Sequence, residues 1–140
     1  MDTTLWTPKN LLALLAALFA VAWMMMPNTV RYNIEEVDVA NAKNLIDAGA
    51  VVIDVRPTGK YDGRHIPGAL SIPLEVLTVA VPAALEAVKS QRIVVYCGDG
   101  STLGPRGTQV LNEAGYPGAV NLKGGIGGWA DAGYPVRTGS

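Results

Sequence analysis

The only cysteine of this 140-residue chain lies in VVYCGDGSTLGPRG, Val94 to Gly107, at the end of an apolar run and ahead of three glycines in seven residues. Pro105 suits the first turn of a helix, with Gly104 as its cap, so Cys97 falls between a strand end and a helix N-terminus. Unpaired amides and the positive end of a helix dipole attract anions there, and glycines let successive N–H groups turn inward around one. A thiolate is such an anion, and it is the nucleophilic form of sulfur. Cys97 is therefore the expected nucleophile, cradled by the loop Gly98, Asp99, Gly100, Ser101, Thr102, Leu103 and Gly104. The competing reading is a small buried hydrophobe, since free cysteine is among the most buried residue types.

The elements around the loop follow from apolar spacing. Asp38 is the expected N-cap of a helix with Val39, Ala42, Leu45 and Ile46 on one face and Gly49 as its stop. Ala50–Val55 (AVVIDV) and Arg92–Tyr96 (RIVVY) have the continuous apolar character of parallel strands buried on both faces. Leu74–Lys89 has helical composition broken by Pro82, which predicts two short helices or one interrupted helix. A helix over Pro105–Ala114, a strand over Ala119–Leu122 and a glycine-rich helix over Gly125–Ala132 complete the alternation. Strands alternating with helices predict an α/β fold, a parallel sheet with helices on both faces, and in such sheets chemistry gathers at the carboxyl ends of the strands.

Other conspicuous residues are assigned mainly to structure. Asp54 and Arg56 follow a buried strand and are expected to form an ion pair or brace a turn, because structural networks also gather charges. His65 precedes Ile-Pro-Gly and is expected to stabilise that turn. Trp129 is expected in the core. One cysteine and one distant histidine make no metal site. GGIGGW lacks the spacing of a dinucleotide loop and the Lys-Ser/Thr of a P-loop, so close packing accounts for its glycines. A formal net charge of −1 provides no basic surface for nucleic acid.

Three segments in order resemble the single-domain rhodaneses, the thiosulfate sulfurtransferase-like family. VVIDVRPTGKYDGRHIPGALSIPL is similar to a signature in which Asp-x-Arg precedes His-Ile-Pro-Gly-Ala, YCGDGSTLG stands at the active-site loop, and VNLKGGIGGWADAGYPV is similar to the closing signature. The resemblance runs from about Glu35 to Val136. It implies a three-layer α/β sandwich around a small parallel sheet, and a cysteine that accepts a sulfane sulfur as a persulfide and yields it to a thiol or other nucleophile. No cofactor is implied; the partners are a small sulfur donor and a nucleophilic acceptor.

The loop departs from that family. It lacks the arginines that commonly hold an anionic donor, and Asp99 places a negative charge instead. Arg106 is the first cation after Cys97, and Lys60 and Arg64 replace residues that are usually acidic and glycine. Those two are expected at the pocket mouth, with Asp54, Arg56, Arg64 and Arg106 as supporting residues. The loop is also one residue longer than usual, matching rhodanese-fold phosphatases that use Cys-x5-Arg, but Leu103 occupies the arginine position. Without that bidentate clamp, phosphatase or arsenate reductase-like chemistry is a remote alternative. The nearer alternative is a non-catalytic accessory or docking subunit of a membrane complex.

The N-terminal part is a different material. LLALLAALFAVAWMMM, Leu11 to Met26, has no charged side chain, and a helix from Pro8 to Pro27 measures about 28 Å, near the apolar thickness of a bilayer. Trp6 and Trp23 fall near its two ends, where interfacial aromatics are favoured. A transmembrane helix within residues 1–27, a connector over 28–37 and a rhodanese-like domain over 38–140 are the expected divisions. Residues 8–26 would hold the chain in the membrane beside a possible membrane-protein partner. Alternatives are a signal cleaved near Ala20-Val21-Ala22 and a soluble core helix. Lys9 and the N-terminal amine against Arg31 give a slight bias toward a single-pass, extracytoplasmic (periplasmic) domain.

Overall fold

The computed structural model describes residues 7–27 and 30–140. Trp6, expected at one end of the apolar helix, lies outside them. The chain divides into two compact units, Met1–Arg31 and Tyr32–Ser140. In the first, helix α1 spans Pro8–Met25, with Pro8 in its first turn, and none of its residues is buried. It is long and apolar enough to cross a membrane, by length and composition alone.

The second unit holds five strands in one sheet. They are β1 (Glu36–Val37), β2 (Val51–Asp54), β3 (Leu70–Ser71), β4 (Ile93–Tyr96) and β5 (Ala119–Leu122), in the order β1-β5-β4-β2-β3. Every pairing is parallel. Helices α2 (Val39–Asp47), α3 (Thr58–Gly63), α4 (Leu74–Val79), α5 (Leu103–Glu113) and α6 (Gly125–Asp131) alternate with the strands, and a 3-10 helix covers Ala83–Val88.

Side chains on a strand alternate faces, so the sheet supports two cores. Ile53, Ile93 and Val95 face Leu74 and Leu77 of α4, Leu85 of the 3-10 helix and Leu111 of α5. Val52, Val94, Val120 and Leu122 face Ala42 of α2 and Ile126 and Trp129 of α6. This is the expected three-layer α/β sandwich. Trp129 is 2% exposed, and its Nε1 donates to Pro135 O at 2.9 Å, the partner a buried indole requires.

Local signals hold at several boundaries. Asp38 accepts the Asn41 amide at 2.8 Å as N-cap of α2, and Pro82 separates α4 from the 3-10 helix. Three expectations change. Helix α5 begins at Leu103 with Thr102 as N-cap, two residues before Pro105, because proline is tolerated anywhere in a first turn whose amides have no intrahelical acceptor. Glu36–Val37, assigned to the connector, pair with β5, so the sheet starts inside residues 28–37. Helix α3 and the two-residue strand β3 arise where no element was expected.

Candidate functional site

Central strand β4 delivers Cys97 just past its carboxyl end. Following Ile93 and Val95 on the same face, the side chain points toward α5 and is 2% exposed. It sits in an apolar cluster, as the competing reading required, but the sulfur is not without polar company. The Gly100 amide donates to Sγ at 3.2 Å. Gly104 packs so close that a Cβ there would lie 3.2 Å from Sγ, so the first turn of α5 starts against the sulfur.

The loop is held from beneath by α6. The Ile126 amide donates to Cys97 O at 2.9 Å and the Gly127 amide to Gly98 O at 3.0 Å. Gly100 has φ +78°, and a Cβ on it would meet Leu122 O at 2.6 Å and Gly124 N at 2.7 Å. The glycine-rich closing segment thus lets two stretches of backbone touch. Asn121 adds a tie: its Nδ2 donates to Gly100 O at 3.0 Å and to Glu36 Oε2 at 2.8 Å, while its buried Oδ1 has no partner among the described residues. Sequence reasoning missed Asn121, Ile126 and Gly127 as loop supports. The polar Asn121 within a buried apolar strand was the available signal for the first.

The inward amide cradle is only partly realised. Ser101 N and Oγ both donate to Asp99 Oδ1, at 3.0 and 2.7 Å, which turns that amide away from Cys97. These bonds, the hydroxyl's foremost, hold the Asp99 carboxyl below the usual range. Asp99 is exposed and ionised at the rim.

The expected ion pair is present and buried. Arg56 Nη2 lies 2.7 Å from Asp54 Oδ2, and Nε 3.0 Å from Oδ1. Asp54 is fully buried and Arg56 is 7% exposed. Burial works against the Arg56 charge, but the Asp54 carboxylate outweighs it and raises the guanidinium further. Arg56 Nη2 also donates to Arg64 O at 2.6 Å, tying the end of α3 to the sheet. Tyr96 lies beneath this pair with its hydroxyl accepting the Ile66 amide at 3.1 Å, and burial, then the Asp54 charge, pushes its phenol far above the ordinary range.

A cleft of about 450 Å3 opens over this region, lined by Cys97, Asp99, Arg56, Lys60 and Arg64, with Leu103 and Ile126 as apolar wall. The two unusual cations therefore do reach the pocket. Tyr61, between them in sequence, anchors α3 by donating to Ala69 O at 2.8 Å and stacking on His65 at 3.9 Å. His65 has the turn role expected of it: Nδ1 donates to Tyr61 O, and its backbone pairs with Arg137. Arg106 does not join the site. Because α5 starts early, Arg106 is its fourth residue, exposed and absent from the cleft lining. Leu103 stands in the cleft at the position a phosphate-clamping arginine would need.

A larger cleft of about 660 Å3, lined in part by Glu35, Asp38 and Arg92, lies along β1 and α2. Its lining includes no cysteine, serine or histidine, and the sulfur site is the better candidate on chemistry.

Comparisons with known proteins agree with this geometry. The Rhodanese-like domain family matches residues 38–132. The chain is 33% identical over 117 residues to Protein HIGH ARSENIC CONTENT 1, mitochondrial, of Arabidopsis thaliana, covering 77% of this chain and 68% of that protein. It is 32% identical over 107 residues to human thiosulfate:glutathione sulfurtransferase, covering 68% of this chain and 92% of the human protein. A thiosulfate sulfurtransferase of Pseudomonas aeruginosa superposes with a TM-score of 0.67 at 34% identity, over 76% of this chain and 21% of that one. The chain spans less than half of two further curated relatives. Its sheet, its cysteine loop and these relatives lead to one conclusion: the chain belongs to the rhodanese-like domain family and has sulfurtransferase homologues.

Proposed function

We propose that the protein is a sulfurtransferase in which Cys97 accepts a sulfane sulfur and passes it to a nucleophilic acceptor. The observation that carries this reading is the Cys97 sulfur itself, hydrogen-bonded by the Gly100 amide and facing a cleft with cations on its wall. In the first half-reaction the Cys97 thiolate attacks the outer sulfur of a donor such as thiosulfate. The new S–S bond forms as the old S–S bond breaks, and sulfite leaves with its electron pair. In the second, an acceptor thiolate attacks the outer persulfide sulfur, and Cys97 departs as thiolate. No net oxidant is consumed, because each step forms one S–S bond as another breaks.

The chain's own residues position this exchange. Gly100 N is placed to hold anionic sulfur, α6 fixes the Cys97 and Gly98 carbonyls, and the cationic wall attracts an anionic donor. Leu103 in place of a bidentate clamp disfavours phosphoryl transfer. Helix α1 is proposed to anchor the protein in a membrane as a single pass, with the catalytic domain on the extracytoplasmic side and any protein partner also at the membrane.

Sulfite release from thiosulfate with a thiol acceptor tests the reading. Wild-type protein is expected to turn over, and Cys97→Ser to fall to the uncatalysed rate with unchanged circular dichroism. Equal rates for the two proteins would remove Cys97 from the chemistry. Absence of turnover with every donor and acceptor would favour the accessory role.

A further inference from the structure

The cysteine loop is tied down in two halves. Amides of α6 hold its first carbonyls, Cys97 O and Gly98 O. Beyond them, residues 100–102 have one hydrogen bond to a strand among the described residues, from Asn121 Nδ2 to Gly100 O at 3.0 Å. Gly100 is also the residue whose amide reaches Cys97 Sγ, at 3.2 Å. Its amide and its carbonyl flank a single α-carbon without a side chain, so the tie on the carbonyl is what restrains the amide.

Asn121 is itself oriented from the sheet edge. It lies on β5, in register with Glu36 of the outermost strand β1. Nδ2 carries two hydrogens; one serves Gly100 O and the other Glu36 Oε2 at 2.8 Å. With both committed, the oxygen end of the amide faces Gly104, where a Cβ would collide with Oδ1. Without Glu36 the amide is free to turn, and its oxygen would then face Gly100 O and repel it. We infer that Asn121, aimed by Glu36, is a positioning residue that keeps the Gly100 amide on the Cys97 sulfur, so that an exposed edge-strand carboxylate governs the reactivity of a buried thiol. This rests on the sulfurtransferase reading and adds two residues to it, neither of which touches the sulfur.

The sign of the effect separates this role from a plain charge effect. An N–H donated to sulfur favours the thiolate, so its loss moves ionisation to higher pH. Removal of a carboxylate acts in the opposite sense, because less negative charge eases ionisation. Alkylation of Cys97 by iodoacetamide is therefore timed across pH in the full-length protein and read by intact mass. Arg56, Lys60, Arg64 and Asp99, the charged residues of its cleft, are the same in every variant, so their fields cancel in the comparison.

Asn121→Ala is expected to slow alkylation at neutral pH about five- to ten-fold and to move its pH midpoint upward. Glu36→Ala is expected to slow it about two- to three-fold in the same direction, and the double variant to be no slower than Asn121→Ala alone. Glu36→Gln, which keeps an acceptor oxygen at the same reach, is expected to restore the wild-type profile. Glu35→Ala is the control, because that carboxylate pairs with Arg92 and not with Asn121. Glu36 is exposed, so its variants carry the test even where Asn121→Ala fails to fold. Faster alkylation in both Glu36 variants, or a wild-type profile in Glu36→Ala, would overturn the inference. Thiosulfate loading of the same samples tests the parent reading separately: wild-type protein that does not load, while Glu36→Ala still shifts the profile, would remove sulfur transfer and leave the Asn121 link standing.

Discussion

Asp54→Asn is expected to destabilise the Tyr32–Ser140 unit by about 3 kcal/mol in urea unfolding, a large share of what a domain this size possesses. The carboxylate is fully buried, and its removal leaves the Arg56 guanidinium buried without a counter-charge. The effect extends to the cleft, because Arg56 also holds the Arg64 carbonyl at the end of α3. The Lys43–Asp47 pair is the internal control. Its side chains are 30% and 57% exposed, and Lys43→Ala is expected to cost less than about 0.5 kcal/mol. Equal losses for the two variants would show that the Asp54–Arg56 pair is not the brace it is taken to be.

The second large effect is expected at Gly125. Its φ is +57°, and a Cβ would lie 2.5 Å from Cys97 O and 2.6 Å from Gly98 O, both backbone atoms. Gly125→Ala combines the left-handed penalty with an overlap that only displacement of the cysteine loop relieves, a cost of about 2–4 kcal/mol. Sulfur transfer is expected to fall about 10- to 100-fold in the protein that remains folded, since a displaced nucleophile loses its alignment. Gly59→Ala is the contrast, because nothing lies within 4 Å of a Cβ at that helical position, and both stability and transfer are expected to hold. Transfer at the wild-type rate in folded Gly125→Ala would mean that the α6 contact does not position Cys97.

What could be read from the sequence depended on the range over which each signal acts. The apolar runs at Val51–Asp54 and Ile93–Tyr96, the Asp38 cap and the break at Pro82 are local, and the structure shows all of them. Strands β1 and β3 have two residues each, too short for a period, and exist only because β5 and β2 offer edges to pair with. Helix α3, TGKYDG, has two glycines and no apolar stripe; Tyr61 and the Arg56–Arg64 contact fix it. Pro105 misled because proline is compatible with several first-turn positions, and that two-residue shift is what turns Arg106 away from the cleft.

The site itself was half legible. Cys97 announced itself by the strand, the glycines and the helix that follows, and Lys60 and Arg64 by standing where other residue types are usual. The hold of α6 on the loop, and the Asn121 bridge from Gly100 to Glu36, join segments far apart in the chain. Asp99 was read as an obstacle to anions; Ser101 turns it into a fixed rim charge, a difference made by two hydrogen bonds.

The most direct test is the mass of the intact protein after brief exposure to thiosulfate or polysulfide. A gain of one sulfur atom, mapped to the Cys97 peptide, released by dithiothreitol and missing from Cys97→Ser, is the expected result. A mass that stays unchanged with every donor, in protein whose Cys97 still alkylates, would contradict a sulfur-carrying role for this residue.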